Sequence, residues 1–131
     1  MKQVMVIGCG GIAPAHIEGY LHSGEDVMIR YLADQNIDRA RDLIRRYALR
    51  DAEAIADYRS GLDAVDIVSV CVPPSLHRDI AVAALTHHCH VLLEKPMAPT
   101  LAECDEIIAA AEKNQCVLSV IVQSRFITSI R

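Results

Sequence analysis

A glycine-rich segment near the amino terminus constrains the fold more than any other part of this sequence. Gly8, Gly10 and Gly11 lie between an apolar run at residues 4–7, which is typical of a strand, and a helical pattern at residues 11–23. Such glycines allow a tight turn from strand to helix, and they let an anion approach the backbone closely. The segment therefore predicts that the chain starts with the strand–turn–helix unit of an α/β fold.

The start of this predicted helix is suited to a phosphate group. Gly10, Gly11 and Ile12 stand where N–H groups lack helical partners, and a helix N-terminus carries roughly half a positive charge. Asp34 ends the second predicted strand, where an acid accepts hydrogen bonds from the hydroxyls of an adenosine ribose. An alternative is that Asp34 only caps the helix that follows. We favour nucleotide binding, because strand, glycines, helix and acid occur in the order that dinucleotide sites require.

Apolar runs alternate with helical patterns along the whole chain. The predicted strands cover residues 4–7, 27–33, 54–56, 64–72, 91–93 and 117–122, with a helix after the first, second, fourth and fifth. This alternation predicts a parallel sheet with right-handed crossovers. We expect one domain over residues 1–131 with an α/β fold of the Rossmann type. It would be a doubly wound sheet of strand order 3-2-1-4-5-6 in a three-layer α/β/α arrangement.

Polar residues follow the fourth and fifth predicted strands. Pro73, Ser75 and His77 come after the fourth strand, and Ser75 is expected to cap the next helix. Glu94 and Lys95 come after the fifth strand. Ligands of open α/β sheets bind at the carboxyl ends of the strands, so we expect these residues to line one crevice. There Lys95 would hydrogen-bond a reacting hydroxyl, and Glu94 would hold Lys95 charged. The alternative is a surface ion pair.

Composition argues against two other classes of function. The net charge of −4, the single Phe and the absence of Trp disfavour nucleic acid, which needs a basic face and aromatic platforms. The longest stretch without Asp, Glu, Lys or Arg is residues 3–17, shorter than the about 20 residues that a membrane span requires. Five cysteines without a C-x-x-C pair are typical of reduced thiols. We expect a cytoplasmic protein that binds neither nucleic acid nor a membrane.

Histidine and cysteine residues cluster between the third predicted helix and the fifth strand. His87, His88, Cys89 and His90 are adjacent, so their side chains would point in different directions, whereas a metal site needs convergent ligands. We predict no metal site here. His16, in the first helix, is expected to have a structural role. A capping box is predicted later in the chain, where Thr100 precedes Glu103 by three residues.

Several segments together resemble the Gfo/Idh/MocA family of NAD(P)-dependent oxidoreductases. They are GCGGIAPAH, the AD that ends the second strand, VDIVSVCVPPSLHRDIAVAAL, HVLLEKPMA and VQSRF, and they extend over nearly all 131 residues. The resemblance implies a dinucleotide-binding domain followed by a larger α/β domain. In such proteins the second domain contacts a sugar, a polyol or a related small molecule and usually forms the interface of a homo-oligomer.

The resemblance also implies roles for individual residues. Lys95 matches the catalytic lysine of the family, and His77 matches a histidine near the nicotinamide. The expected cofactor contacts are Gly8, Gly10, Gly11, Ile12, Asp34, Pro73, His77, Glu94, Lys95 and Gln123. Two features depart from the family. The D-x-x-x-H segment that supplies the partners of the lysine does not occur in these residues, and His88 replaces the usual glycine. We therefore expect a cofactor domain of a longer parent, which binds cofactor without turnover.

The expected cofactor is NAD in preference to NADP. Asp34 would face the 2′-phosphate of NADP, and neither Gln35 nor Asn36 is basic; Arg39 is the nearest cation, one helical turn further on. Two alternative functions stay open. One is a non-catalytic regulator that senses the dinucleotide, which the presence of Lys95 disfavours. The other is a stand-alone module for a nucleotide or CoA, which would need neither Asp34 nor the EKP segment.

The carboxyl-terminal residues are expected to promote self-association. The last predicted strand would leave N–H and C=O groups unpaired along its free edge. Phe126, Ile127 and Ile130 follow this strand at helical spacing. Large exposed apolar patches are rare on stable monomers, so residues 117–131 are predicted to contact a second chain.

Overall fold

Six parallel strands form one sheet in the computed structural model, which describes residues 1–23 and 26–121. The strands are β1 (Lys2–Ile7), β2 (Val27–Ala33), β3 (Glu53–Ile55), β4 (Ile67–Val70), β5 (His90–Glu94) and β6 (Leu118–Ile121). Their order is β3-β2-β1-β4-β5-β6, and every neighbouring pair is parallel. The predicted fold class and strand order are therefore confirmed.

Four α-helices cover the two faces of the sheet in this part of the chain: α1 (Ala13–His22), α2 (Ile37–Arg46), α3 (His77–Thr86) and α4 (Leu101–Lys113). Val4 and Val6 of β1 pack with residues of α1 and α2, whereas Met5 and Ile7 pack with residues of α3 and α4. Residues 4–7 of this central strand are covered on both faces and buried, which explains their continuous apolar sequence. None of these helices is long and apolar enough to cross a membrane.

The observed elements differ from the predicted ones mainly at their ends. The strand predicted at residues 64–72 is only four residues long, because a 3-10 helix (Tyr58–Ala64) occupies the segment before it. Val65 and Cys71 lie on either side of β4 and are buried although they are outside the strand. The apolar run thus indicates which residues are buried, and the buried residues extend beyond the strand at both ends.

One of the two predicted helix caps is wrong and the other is confirmed. Ser75 does not cap α3, because Pro74–Leu76 form a 3-10 turn that runs directly into the helix. This turn is closed by a hydrogen bond to the Pro73 carbonyl at 3.0 Å, and Ser75 lies inside it. In α4, the Oγ1 atom of Thr100 accepts a hydrogen bond from the Glu103 N–H at 3.1 Å, as expected for a capping box.

Some predictions concern residues outside the described part of the chain. Gln123, Phe126, Ile127 and Ile130 belong to this group, whereas β6 lies within the strand predicted at residues 117–122. The cofactor contact of Gln123 and self-association through residues 117–131 therefore stay predictions. Sedimentation at high micromolar concentration tests the second.

Gly8 brings the end of β1 into contact with the end of β4. Its φ is +94°, in the left-handed region that favours glycine. A Cβ atom at this position would lie 2.6 Å from the carbonyl oxygen of Cys71 and 2.9 Å from the Cγ1 atom of Val72. On the other side, the Gly8 N–H donates a hydrogen bond to the Ala33 carbonyl at 2.7 Å. The turn therefore contacts the strands on both sides of β1.

Gly8→Ala is expected to lower the free energy of unfolding by about 2–6 kcal/mol, because a non-glycine residue in this conformation and overpacking each cost about 1–3 kcal/mol. Gly19→Ala is the matched control, since Gly19 lies within α1 and its new Cβ would meet nothing within 4 Å. The control should gain about 0.5–1 kcal/mol. Urea unfolding measures the stability of both variants, and an unchanged stability of Gly8→Ala would show that the contact with β4 does not require glycine at this position.

Candidate functional site

A cleft of about 660 Å³ opens at the carboxyl ends of β1, β2 and β4. The strands β2 and β4 lie on opposite sides of β1. The cleft therefore lies at the point where the winding of the sheet reverses. Ligands of doubly wound sheets bind at this point. The lining residues include Gly8, Gly10, Gly11, Asp34, Gln35, Arg39, Tyr58, Pro73 and Asp79.

The glycine-rich turn presents free N–H groups to this cleft. Within the described residues, no hydrogen bond uses the N–H groups of Gly10, Gly11 or Ile12, which directly precede α1. A Cβ atom at Gly10 or Gly11 would meet nothing within 4 Å, so these residues border open space rather than a packed neighbour. Unpaired N–H groups at a helix N-terminus bind anions, and the predicted phosphate position fits this geometry.

Asp34 connects the turn to the end of β2. Its Oδ2 atom accepts a hydrogen bond from the Cys9 N–H at 2.8 Å, and its Oδ1 atom accepts one from the Asn36 N–H at 2.8 Å. The cap of α2 is Asn36, whose side chain accepts a hydrogen bond from Asp38. The alternative that Asp34 caps this helix is therefore wrong. A carboxylate has about four acceptor positions, so Asp34 retains capacity for the hydroxyls of a ligand.

Four charged or polar residues of the cleft were not among the expected contacts: Gln35, Arg39, Tyr58 and Asp79. Arg39 is exposed and lines the same cleft as Asp34, and Tyr58 and Asp79 lie on its far side toward α3. The sequence identified Arg39 only as the nearest cation. Arg39 lies in the first turn of α2, and this turn follows the strand end at which Asp34 stands. This position in the sequence could have indicated that Arg39 lies close to Asp34.

The thiols that border the cleft are not nucleophiles. Burial and, to a smaller extent, the nearby Asp34 carboxylate raise the pKa of the Cys9 thiol to about 12. Burial also raises the pKa of Cys71 far above its usual range, with a further contribution from Glu94. Because the thiolate is the reactive form, both side chains act as small apolar groups at neutral pH.

Lys95 is exposed directly after β5 and does not itself line the cleft. Leu93 pairs with Val70, so the residues that follow β5 continue beside those that follow β4 and border the cleft. Among the ion pairs of the described residues, none includes Lys95. The structure thus places Lys95 after the carboxyl end of β5, and among the described residues it has neither the expected pairing with Glu94 nor another surface ion pair.

Glu94 is paired with His16 instead. The Nε2–H of His16 donates a hydrogen bond to the Oε2 atom of Glu94 at 2.6 Å, and only 2% of the His16 side chain is exposed. The Nδ1 atom of His16 is buried and has no partner among the described residues. Such an unsatisfied group costs about 1–3 kcal/mol. The helical pattern that buries Ala13 and Ile17 also points His16 inward, but it does not identify the partner.

His77 is fully buried and does not present a free ring nitrogen to the cleft. Its Nε2 atom lies 2.8 Å from the Val72 carbonyl oxygen, and its Nδ1 atom lies 3.1 Å from that of Met97. Carbonyl oxygens only accept, so a ring nitrogen that carries a proton donates it to the carbonyl beside it. The ring therefore contacts backbone, whereas Pro73 in the preceding turn does line the cleft.

The residues of the histidine-rich segment do not converge. His87 contacts Asp63, the Cys89 thiol donates to buried carbonyls, and His90 accepts a hydrogen bond from Val117. His88 has a φ of 63°, the left-handed conformation for which glycine is usual. In the described part of the chain, no three potential metal ligands form a group that could hold an ion.

Known proteins are similar to this chain in fold and in sequence. Inositol 2-dehydrogenase of Salmonella typhimurium is 32% identical over 111 residues, which are 83% of this chain and 33% of that protein. The scyllo-inositol 2-dehydrogenase (NADP(+)) IolU of Bacillus subtilis is 27% identical over 131 residues, 100% of this chain and 40% of that protein. The WlbA dehydrogenase of Chromobacterium violaceum, solved with NADH and UDP-GlcNAcA, is 25% identical with a TM-score of 0.84, over 95% of this chain and 36% of that one.

The sheet, the glycine-rich turn and the cleft define a dinucleotide-binding domain of the Rossmann type. The profile of the oxidoreductase family with an NAD-binding Rossmann fold (GFO_IDH_MocA) matches residues 2–122. This chain belongs to that family, as the sequence motifs predicted. It spans about a third of the length of the relatives that it matches.

Proposed function

We propose that this chain is the cofactor-binding part of an oxidoreductase that transfers a hydride between a nicotinamide dinucleotide and a sugar, a polyol or a related hydroxy compound. The observation that carries the proposal is the row of three N–H groups at the start of α1 that have no partner among the described residues. Two of the three residues, Gly10 and Gly11, line an open cleft with Asp34 on its wall. The relatives named as inositol dehydrogenases, and the one solved with NADH and UDP-GlcNAcA, support this substrate class.

The parts of a dinucleotide have matching groups in the cleft. The N–H groups of Gly10, Gly11 and Ile12 would bind the pyrophosphate, since they are free and lie at a helix N-terminus. The free acceptor positions of Asp34 would take the hydroxyls of the adenosine ribose. Pro73, which lines the cleft beyond the glycines, would border the nicotinamide half.

Lys95 is the proposed catalytic residue. The bound nicotinamide supplies the chemistry of hydride transfer. The Nζ atom of Lys95 would donate a hydrogen bond to the reacting oxygen of the substrate and orient it. Glu94 is bonded to His16 and exposes only 19% of its side chain. Lys95 is therefore the better placed of the two to meet a substrate.

We propose that the rest of the active site belongs to a second domain of a cytoplasmic, homo-oligomeric parent. The D-x-x-x-H segment that the family uses beside its lysine does not occur in these 131 residues. The five cysteines are free, which is typical of a reducing compartment. A chain of this composition would bind the cofactor but leave a substrate unpositioned.

Gly10→Ala is expected to weaken NADH binding at least tenfold, or about 1.4 kcal/mol, because its methyl group would occupy the space that a pyrophosphate needs. The stability should change by less than about 0.5 kcal/mol, since the methyl group meets no protein atom. Calorimetric titration with NADH measures the affinity, and Gly19→Ala is again the control. An unchanged affinity in Gly10→Ala would refute the proposed pyrophosphate position.

NAD should bind at least tenfold more tightly than NADP. Like charges about 4 Å apart repel by up to roughly 4 kcal/mol at an intermediate dielectric, and Asp34 would face the 2′-phosphate. Asp34→Asn keeps an acceptor for the Cys9 N–H and removes the charge, so it should narrow the difference in affinity between NAD and NADP. Arg39→Ala removes a cation of the same cleft and should widen it. Equal affinities in the unchanged chain contradict this prediction.

The chain by itself should show no turnover with any sugar or polyol. Lys95 is present, but the D-x-x-x-H segment expected to act beside it does not occur in the sequence, and positioning of a substrate is worth roughly 7–11 kcal/mol of the barrier. The measurement is NADH formation by the pure chain between pH 6 and 10, with Lys95→Ala as the blank. Formation above this blank would show that the chain contains a complete active site.

A further inference from the structure

The exposed turn that carries Lys95 is held by a buried histidine on each side. We propose that His16 and His77 are positioning residues, which fix Glu94 and Met97 and thereby hold Lys95 at the edge of the cleft. We call residues 94–97 the lysine turn. The role of Lys95 in catalysis rests on the proposed function, whereas the contacts that fix the turn do not.

The first contact fixes the residue before Lys95. His16 belongs to the second turn of α1, and its Nε2–H donates to the Glu94 carboxylate at 2.6 Å. Hydrogen bonds to an ionised group are shorter and stronger than those between neutral groups. The histidine is almost completely buried, and its Nδ1 atom has no partner among the described residues, which costs stability.

The second contact fixes the residue two positions after Lys95. His77 is the first residue of α3, and its ring lies between the carbonyl oxygens of Met97 and Val72. Val72 follows β4 and lines the cleft. One side chain therefore links the lysine turn to the wall of the cofactor cleft.

Apolar packing does not explain the position of Lys95. Lys95 and Pro96 are exposed, and Met97 is only partly buried against the core. A turn with this little buried surface is ordinarily mobile, since it gains little from burial. Two polar contacts to buried rings compensate for that deficit and leave the lysine side chain free.

Both histidines come from helices that begin beside the cleft. The N-terminus of α1 carries the free N–H groups, and the turn before α3 contains Pro73, which lines the cleft. The lysine turn is thus fixed to the elements proposed to bind the dinucleotide. This arrangement would keep the distance between Lys95 and the cofactor constant.

The test measures the order of the Lys95 backbone in the whole chain without cofactor. The sequence contains three lysines, so a chain labelled with ¹⁵N-lysine gives one amide signal each for Lys2, Lys95 and Lys113. Lys95→Arg assigns the signal of interest, and the other two are internal references in β1 and α4. We expect an order parameter near the rigid value of about 0.85 for Lys95.

Variants then remove each contact separately. Glu94→Leu and His77→Leu should each lower the order parameter of Lys95 below about 0.6 and leave those of Lys2 and Lys113 unchanged. Glu94→Gln should keep the order parameter of Lys95 at its wild-type value, because the glutamine amide oxygen still accepts from the His16 Nε2–H. Asp63→Leu is the control, since it removes another pair of a histidine with a carboxylate, His87 with Asp63, outside the lysine turn.

Three results would overturn the proposal. One is a low order parameter of Lys95 in the unchanged chain. This measurement uses no variant, so it tests the proposal even if a leucine variant fails to fold. The second is a rigid Lys95 in both folded leucine variants. The third is an equal loss of order in Glu94→Leu and Glu94→Gln. NADH titration of the unchanged chain tests the proposed function separately. If the NMR pattern is as predicted but the unchanged chain does not bind NADH, only the proposed function is refuted.

Discussion

The close contact between Gly8 and the end of β4 is the constraint on which the rest of the site depends. There is no room for a side chain between Gly8 and the Cys71 carbonyl. Because glycine has none, the chain can leave β1 in a left-handed conformation against the neighbouring strand. The start of α1 is thereby set at the carboxyl edge of the sheet. Asp34 strengthens this arrangement, since it binds the Cys9 N–H from the end of β2. The free N–H groups follow from this backbone geometry and from no side chain.

The sequence predicted the fold because the alternation of apolar runs and helical patterns is a local property. Each strand was found near its true position, and the doubly wound order follows from the crossovers that such an alternation permits. The limits of β4 were less accurate, because Val65 and Cys71 are as buried as the strand itself. Ser75 was misassigned as a cap because two prolines begin a 3-10 turn that leads into α3.

The site was predictable where it depends on neighbours in the sequence and unpredictable where it depends on distant ones. Gly10, Gly11 and Asp34 line the expected cleft, since turn chemistry and strand ends determine their positions. His16 and Glu94 are 78 residues apart, and no periodicity indicates that they meet. The ring of His77 likewise contacts two backbone carbonyls rather than the cleft, and such contacts require the packed structure.

The position of β1 in the middle of the sheet has a consequence for synthesis on the ribosome. β1 is made first, but its partner β4 follows 63 residues later, a delay of about 3–12 s at about 5–20 residues per second. During that delay the turn at Gly8 lacks the Cys71 carbonyl against which it packs. Pairing between strands so far apart in sequence also forms slowly. A nascent chain that ends before β4 thus contains the complete glycine-rich sequence and yet no binding site.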